Sequence, residues 1–164
     1  MSAIDLTWFV AHTRPRCEKK LVHYCEREGL KSKLLLYQTV HKYRGKTVVF
    51  EKPLFPSYVF LPLMLNQRQK VYQSDYVANL LEVVDQSLFE KQLGHVRLAL
   101  ETNLEIRLAP QIEKGTKVRI RSGPLRGVEG WVAERLGMTT VLLCVDFISQ
   151  AAAVKLEADL LELI

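Results

Sequence analysis

Arg16, Lys20, His23 and Arg27 recur at spacings of four, three and four residues near the start of the chain. At about 100° per residue, such a series forms one narrow stripe along a helix. A row of ammonium and guanidinium groups suits the phosphates of a polyanion rather than bond-breaking chemistry. Glu18, Glu26 and Glu28 stay off the centre of the stripe, so it is not neutralised along its own length. All of the net charge of +5 lies before residue 112, which directs any polyanion contact to the N-terminal part. A solvated helix face carries the same pattern, and spacing alone does not choose between the two.

Nothing in the sequence competes as a catalytic centre. His12, His23, His41 and His95 fall in no metal-ligand spacing, and neither a nucleophile motif nor a phosphate-cradling glycine loop is present. No catalytic residue, metal or cofactor is therefore expected, and the chain reads as a binding protein rather than an enzyme. Cys17, Cys25 and Cys144 are odd in number and form no Cys-x-x-Cys pair, which points to a reducing, cytoplasmic setting. No apolar run approaches the roughly 20 residues of a membrane span, and no secretory pattern opens the chain.

The elements that would position the basic stripe can be read from periodicity. Leu6 to Thr13 alternates as a strand, Arg16 to Glu28 follows as a helix, and Gly29 supplies its stop. Segments 34–40 and 47–50 read as a hairpin with a basic tip at Tyr43-Arg44-Gly45-Lys46. Ser57 to Leu61 and Leu80 to Val84 read as further strands, Asn66 to Ser74 as a short helix, and Ser87 to about Glu101 as a longer one. Thr102 to Glu113 keeps no regular pattern and reads as a linker. Beyond it lie four short strands, at 116–121, 128–134, 140–147 and 154–160, in a segment small enough to need a closed barrel. The fold class is α+β: an N-terminal antiparallel sheet flanked by helices over residues 1–103, then a small β-barrel over 112–164.

The second segment carries the most particular motif in the chain. Val118 and Ile120 point to one face of a strand, and Lys117, Arg119 and Arg121 to the other. Ser122-Gly123-Pro124 turns the chain, and Gly127 and Gly130 precede the apolar Trp131-Val132. Together with Gly115, this pattern resembles the KOW motif of small SH3-like barrels that work on ribosomes and transcription complexes. In the first segment, Trp8-Phe9-Val10, Glu18-Lys19-Lys20 and Pro53-Leu54-Phe55-Pro56-Ser57-Tyr58-Val59-Phe60 resemble the N-terminal (NGN) domain of the NusG family of transcription elongation factors.

That resemblance implies a factor that grips the clamp helices of RNA polymerase through an apolar depression on its first sheet. The matching positions are Phe55, Pro56, Tyr58 and Phe60. Core filling by Phe55 and Phe60 is the competing reading of the same rings. In specialised, RfaH-like relatives, basic residues of the first helix touch non-template DNA, and Arg14, Lys20 and Arg27 match those positions. Ser57, where housekeeping members usually have glycine, and Ser74-Asp75-Tyr76-Val77 favour such an antiterminating paralogue over the general factor. The KOW segment would recruit a small-subunit ribosomal protein, and a monomer with no membrane partner is expected. A ribosome- or RNA-associated KOW protein that never engages polymerase is the rival reading.

One segment satisfies two periods at once. Val154, Leu156, Ala158 and Leu160 alternate as a strand should, while Val154, Ala158, Leu161 and Ile164 suit a helix. The corresponding domain of RfaH is known in both helical and barrel forms.

Overall fold

The computed structural model describes residues 6–102, 104–110, 116–136 and 138–164, the side chains of Pro110, Glu134, Arg135, Leu136 and Met138 excepted. The chain divides into two compact units, Met1–Gln86 and Ser87–Ile164. The division expected from sequence falls at residues 103 and 112, both outside the described residues.

The N-terminal unit contains β1 (Thr7–Thr13), α1 (Glu18–Arg27), β2 (Leu36–Tyr43), β3 (Lys46–Pro53), β4 (Tyr58–Leu63), α2 (Arg68–Tyr72) and β5 (Val77–Glu82). An antiparallel sheet of order β4-β1-β5 forms its centre. Strand alternation sends Phe9, Ala11, Val59, Leu61 and Leu63 to one face, where Leu21 and Cys25 of α1 and Val71 of α2 complete a core. Burial pushes the Cys25 thiol up to about 11, which leaves it an inert packing group. The other face pairs Trp8, Val10 and His12 of β1 with Pro62, Phe60 and Tyr58 of β4. Where β5 ends, the Gln86 side chain continues the ladder: Trp8 N–H donates to its Oε1 at 2.6 Å, and its Nε2 donates to Trp8 O at 3.0 Å.

Strands β2 and β3 form a separate two-stranded sheet. Their ladder runs from Leu36↔Pro53 to Tyr43↔Lys46, longer than the sequence pattern suggests. The reason is the turn. Arg44 and Gly45 take φ of 46° and 79°, the two left-handed residues of a type I′ hairpin, whose twist matches that of the strands.

The C-terminal unit contains nearly all of α3 (Gln86–Leu100), then β6 (Ile106–Pro110), β7 (Lys117–Ile120), β8 (Glu129–Leu136), β9 (Met138–Val145), β10 (Gln150–Glu157) and β11 (Leu161–Leu163). The expected alternation is present in β7, where Val118 and Ile120 are buried and Lys117 is exposed. Gly115 of the motif lies outside the described residues.

The expected closed barrel is not formed. The strands make an open six-stranded sheet of order β11-β7-β8-β9-β10-β6. Its physical cause is the segment read as a linker. Ile106–Pro110 is a strand, and it occupies the outer edge of β10 over five residue pairs, from Val154↔Ile106 to Gln150↔Pro110. At the opposite end, three-residue β11 pairs, among the described residues, with β7 alone, so the hydrogen-bonded ladder has two ends. The last long strand also starts earlier than its apolar alternation indicates. Residues 150–157 are extended between β9 and β6, so the helical period of this segment is not the one adopted here.

Candidate functional site

Three strand ends converge at one end of the first sheet. Thr13 N–H donates to Ser57 O at 2.8 Å, and Arg14 N–H donates to Tyr76 O at 2.8 Å. These bonds fix the exit of β1 against the turn before β4 and the approach to β5. The turn is Phe55-Pro56-Ser57-Tyr58, closed by Tyr58 N–H donating to Phe55 O at 3.2 Å. Proline at its second position and a left-handed third residue, Ser57 with φ 69°, make it a type II turn.

Ser57 therefore occupies a glycine conformation. Its backbone N–H donates to Glu18 Oε2 at 3.0 Å, from the first turn of α1. This gives Glu18 a structural role that its position beside the basic stripe did not reveal. An acidic residue in the first turn of a helix is the signal that could have found it. A non-glycine residue at this φ costs about 1–2 kcal/mol, partly offset in Ser57→Gly by the greater freedom of glycine when unfolded. Ser57→Gly is expected to raise the melting temperature of the N-terminal unit by about 2–4 °C, read by circular dichroism. A lower melting temperature would show that the serine is not strained.

The four residues expected to form the apolar depression divide by exposure. Phe60 and Phe55 are 0% and 1% exposed, with ring centroids 6.5 Å apart in an edge-on arrangement. Pro56 is exposed and Tyr58 half-buried. Tyr58 lies opposite His12 across the ladder, their rings 5.4 Å apart, with Asn79 of β5 beyond His12.

The cationic positions are all exposed. Arg14 reaches Asp75 Oδ1 at 3.4 Å, but both side chains are more than half exposed, so the pair holds little energy. Lys20 and Arg27 lie two turns apart on α1, about 10 Å along its axis, with His23 between them. Arg16 precedes the helix, with φ 61°, so the helical stripe begins at Lys20. His23 Nδ1 lies 3.7 Å from Glu26 Oε2, while Lys20 and Arg27 are in no ion pair among the described residues.

In the C-terminal unit, α3 and the sheet enclose a crevice of about 200 Å³ lined by Lys91, His95, Lys117, Glu129, Trp131 and Cys144, among others. Of its two acids, Glu129 and Asp146, the first is satisfied internally. Arg119 Nη2 donates to Glu129 Oε1 at 3.0 Å, and this bond, aided by Lys91 and Lys117, holds the carboxyl below its usual range. Burial, reinforced by Lys91, holds the His95 imidazole below the usual histidine value. Among the described residues, no group of three or more His, Cys, Asp or Glu could hold a metal ion.

A family model described as NusG, transcription termination factor nusG, matches residues 6–97, more than half of the chain. The chain belongs to the NusG family. Members of this family are non-catalytic transcription factors, so its surfaces are to be read as binding surfaces. No curated protein matches this NusG-family chain. A solved crystal structure of the MjSpt4:Spt5 complex, conformation B, is similar at 17% identity over 96% of each chain, with a TM-score of 0.31. No helix among the described residues is long and apolar enough to cross a membrane.

Proposed function

We propose that this NusG-family chain is a cytoplasmic elongation and antitermination factor that binds RNA polymerase through its N-terminal unit. Pro56 and Tyr58 touch the clamp helices, while Phe55 and Phe60 hold the turn beneath them. Arg14, Lys20 and Arg27 contact the non-template DNA strand through phosphates. The C-terminal unit recruits a partner, a small-subunit ribosomal protein, and the factor acts as a monomer on selected operons in the manner of RfaH. The observation that carries this reading is the family match over residues 6–97, which covers the described part of the unit that holds Tyr58 and the α1 cations and runs on into α3. A KOW protein confined to the ribosome would have no use for that unit.

Tyr58 is a suitable anchor because an aromatic ring buries much area at low entropic cost and keeps a hydroxyl for the polar rim. Affinity capture with the full-length chain is expected to retain RNA polymerase. Tyr58→Ala should weaken capture by about thirtyfold, the equivalent of about 2 kcal/mol for a central aromatic contact. Capture unaffected by Tyr58→Ala would overturn the assignment, and no capture by the parent protein would overturn the function.

A further inference from the structure

The β2–β3 hairpin stands out among exposed surfaces. Val40, Tyr43, Val48, Val49 and Phe50 are all at least 36% exposed, and all lie on its two strands. In an antiparallel pair, directly opposed residues share a face. The register therefore sorts the hairpin into two chemically different sides. One side carries Tyr37 with Lys52, Thr39 with Phe50, His41 with Val48, and Tyr43 with Lys46. The other carries Leu36 with Pro53, Gln38 with Glu51, Val40 with Val49, and Lys42 with Thr47.

The first side interleaves rings with cations and contains no carboxylate. Glu51, the only acidic residue of the hairpin, is on the second side, where its carbonyl accepts a hydrogen bond from Lys19 Nζ at 3.0 Å. Lys42, Arg44, Lys46 and Lys52 form no ion pair among the described residues. His41 and Phe50 meet edge to face at 5.4 Å, so two of the four rings on this side are in contact. Tyr37 to Tyr43 spans about 20 Å along the strand. Rings alone would suit another protein; rings alternating with unpaired cations suit a ligand that offers both π-faces and phosphates. Duplexes hide their base faces, so the matching ligand is a single strand.

We propose that this face of the hairpin, Tyr37, His41, Tyr43 and Phe50 flanked by Lys46 and Lys52, binds single-stranded nucleic acid by base stacking and phosphate contact. The site is separate from the α1 cations and does not depend on the polymerase reading.

The test is fluorescence anisotropy of the full-length protein with labelled 15-mers of oligo-dT and oligo-U and a 15-base-pair duplex. Each probe is titrated across a range of salt, with both single strands expected to bind at least tenfold more tightly than the duplex. Tyr43→Ala with Phe50→Ala is expected to weaken single-strand binding at least tenfold, because each removes a ring on which a base would stack. Lys46→Gln with Lys52→Gln should reduce the salt slope by about 1.4, at about 0.7 for each single-strand phosphate contact. The same losses should appear in a Lys20→Glu, Arg27→Glu background, which separates the hairpin from α1. The tighter of the two single strands identifies the ligand as DNA or RNA. Parental binding by the aromatic double variant, or equal binding of the duplex, would overturn the proposal.

Discussion

Phe60→Ala is expected to cost the N-terminal unit about 3–5 kcal/mol, whereas Tyr58→Ala should cost less than about 1.5 kcal/mol. The two residues share a strand and a face but not an environment. Phe60 is 0% exposed, lies opposite Val10, itself 0% exposed, and meets the edge of the Phe55 ring. Truncating it removes a ring and leaves a cavity that the surrounding strands can only partly collapse into. Tyr58 sits at the strand end beside exposed His12, so water replaces much of what its ring covers. For a unit of this size, the Phe60 loss is a fall of well over 10 °C in melting temperature, measurable by calorimetry. Phe60→Leu keeps most of the volume and should fall by only a few degrees, which preserves a readout if the alanine variant fails to fold. Equal, small losses for Phe60→Ala and Tyr58→Ala would mean that Phe60 is not a core residue at all. Both rings would then be free to serve a partner directly.

The elements most legible in the sequence are those whose core residues contrast with polar neighbours. α1 shows its helical period because Leu21 and Cys25 are buried while Lys20, His23 and Arg27 are exposed, and β1 and β4 stand out as short apolar runs, residues 9–11 and 59–61, that are buried on both faces. The elements that it concealed lack that contrast. Ile106-Arg107-Leu108-Ala109-Pro110 is short, and half-exposed Leu108 weakens its alternation, so only pairing with β10 makes it a strand. Ala151-Ala152-Ala153 consists of helix formers, yet all three are at most 2% exposed between β9 and β6. Tertiary context overrides propensity there. The same region explains why the sequence implies a barrel: four of the five strands described after residue 116 are legible there, but neither the short β11 nor the upstream partner β6 is. At the candidate site, the residue types were legible and their exposure was not. The motif places Phe55, Tyr58 and Phe60 within six positions, and nothing in that spacing tells which rings are sealed. Ser57 is the reverse case. A serine at a glycine position was visible in the sequence, and the left-handed turn explains why it matters.

Gly130→Ala is expected to destabilise the C-terminal unit by about 3 kcal/mol, a fall of roughly 15 °C in its melting temperature. Gly130 is buried in β8, opposite Val118 of β7, with β9 on its other side. A Cβ there would lie 2.6 Å from Leu142 O, 2.6 Å from Val141 Cγ1 and 3.2 Å from Leu143 Cδ2. A rotamer change could relieve the side-chain contacts, but Leu142 O is backbone at the centre of the sheet. Relief requires β8 to separate from β9, which breaks the pairing of Trp131 with Leu142 and Val132 with Val141. Consecutive residues Val141, Leu142 and Leu143 are each at most 3% exposed, so β9 is packed on both faces and has nowhere to yield. Gly94, in α3 of the same unit, supplies the control. Beyond the neighbouring helix backbone, nothing lies within 4 Å of a Cβ built there, so Gly94→Ala should stabilise the unit by about 0.5–1 kcal/mol through helix propensity alone. Opposite signs for the two substitutions are the expected calorimetric result. A neutral Gly130→Ala would mean that β8 and β9 are not held at this spacing.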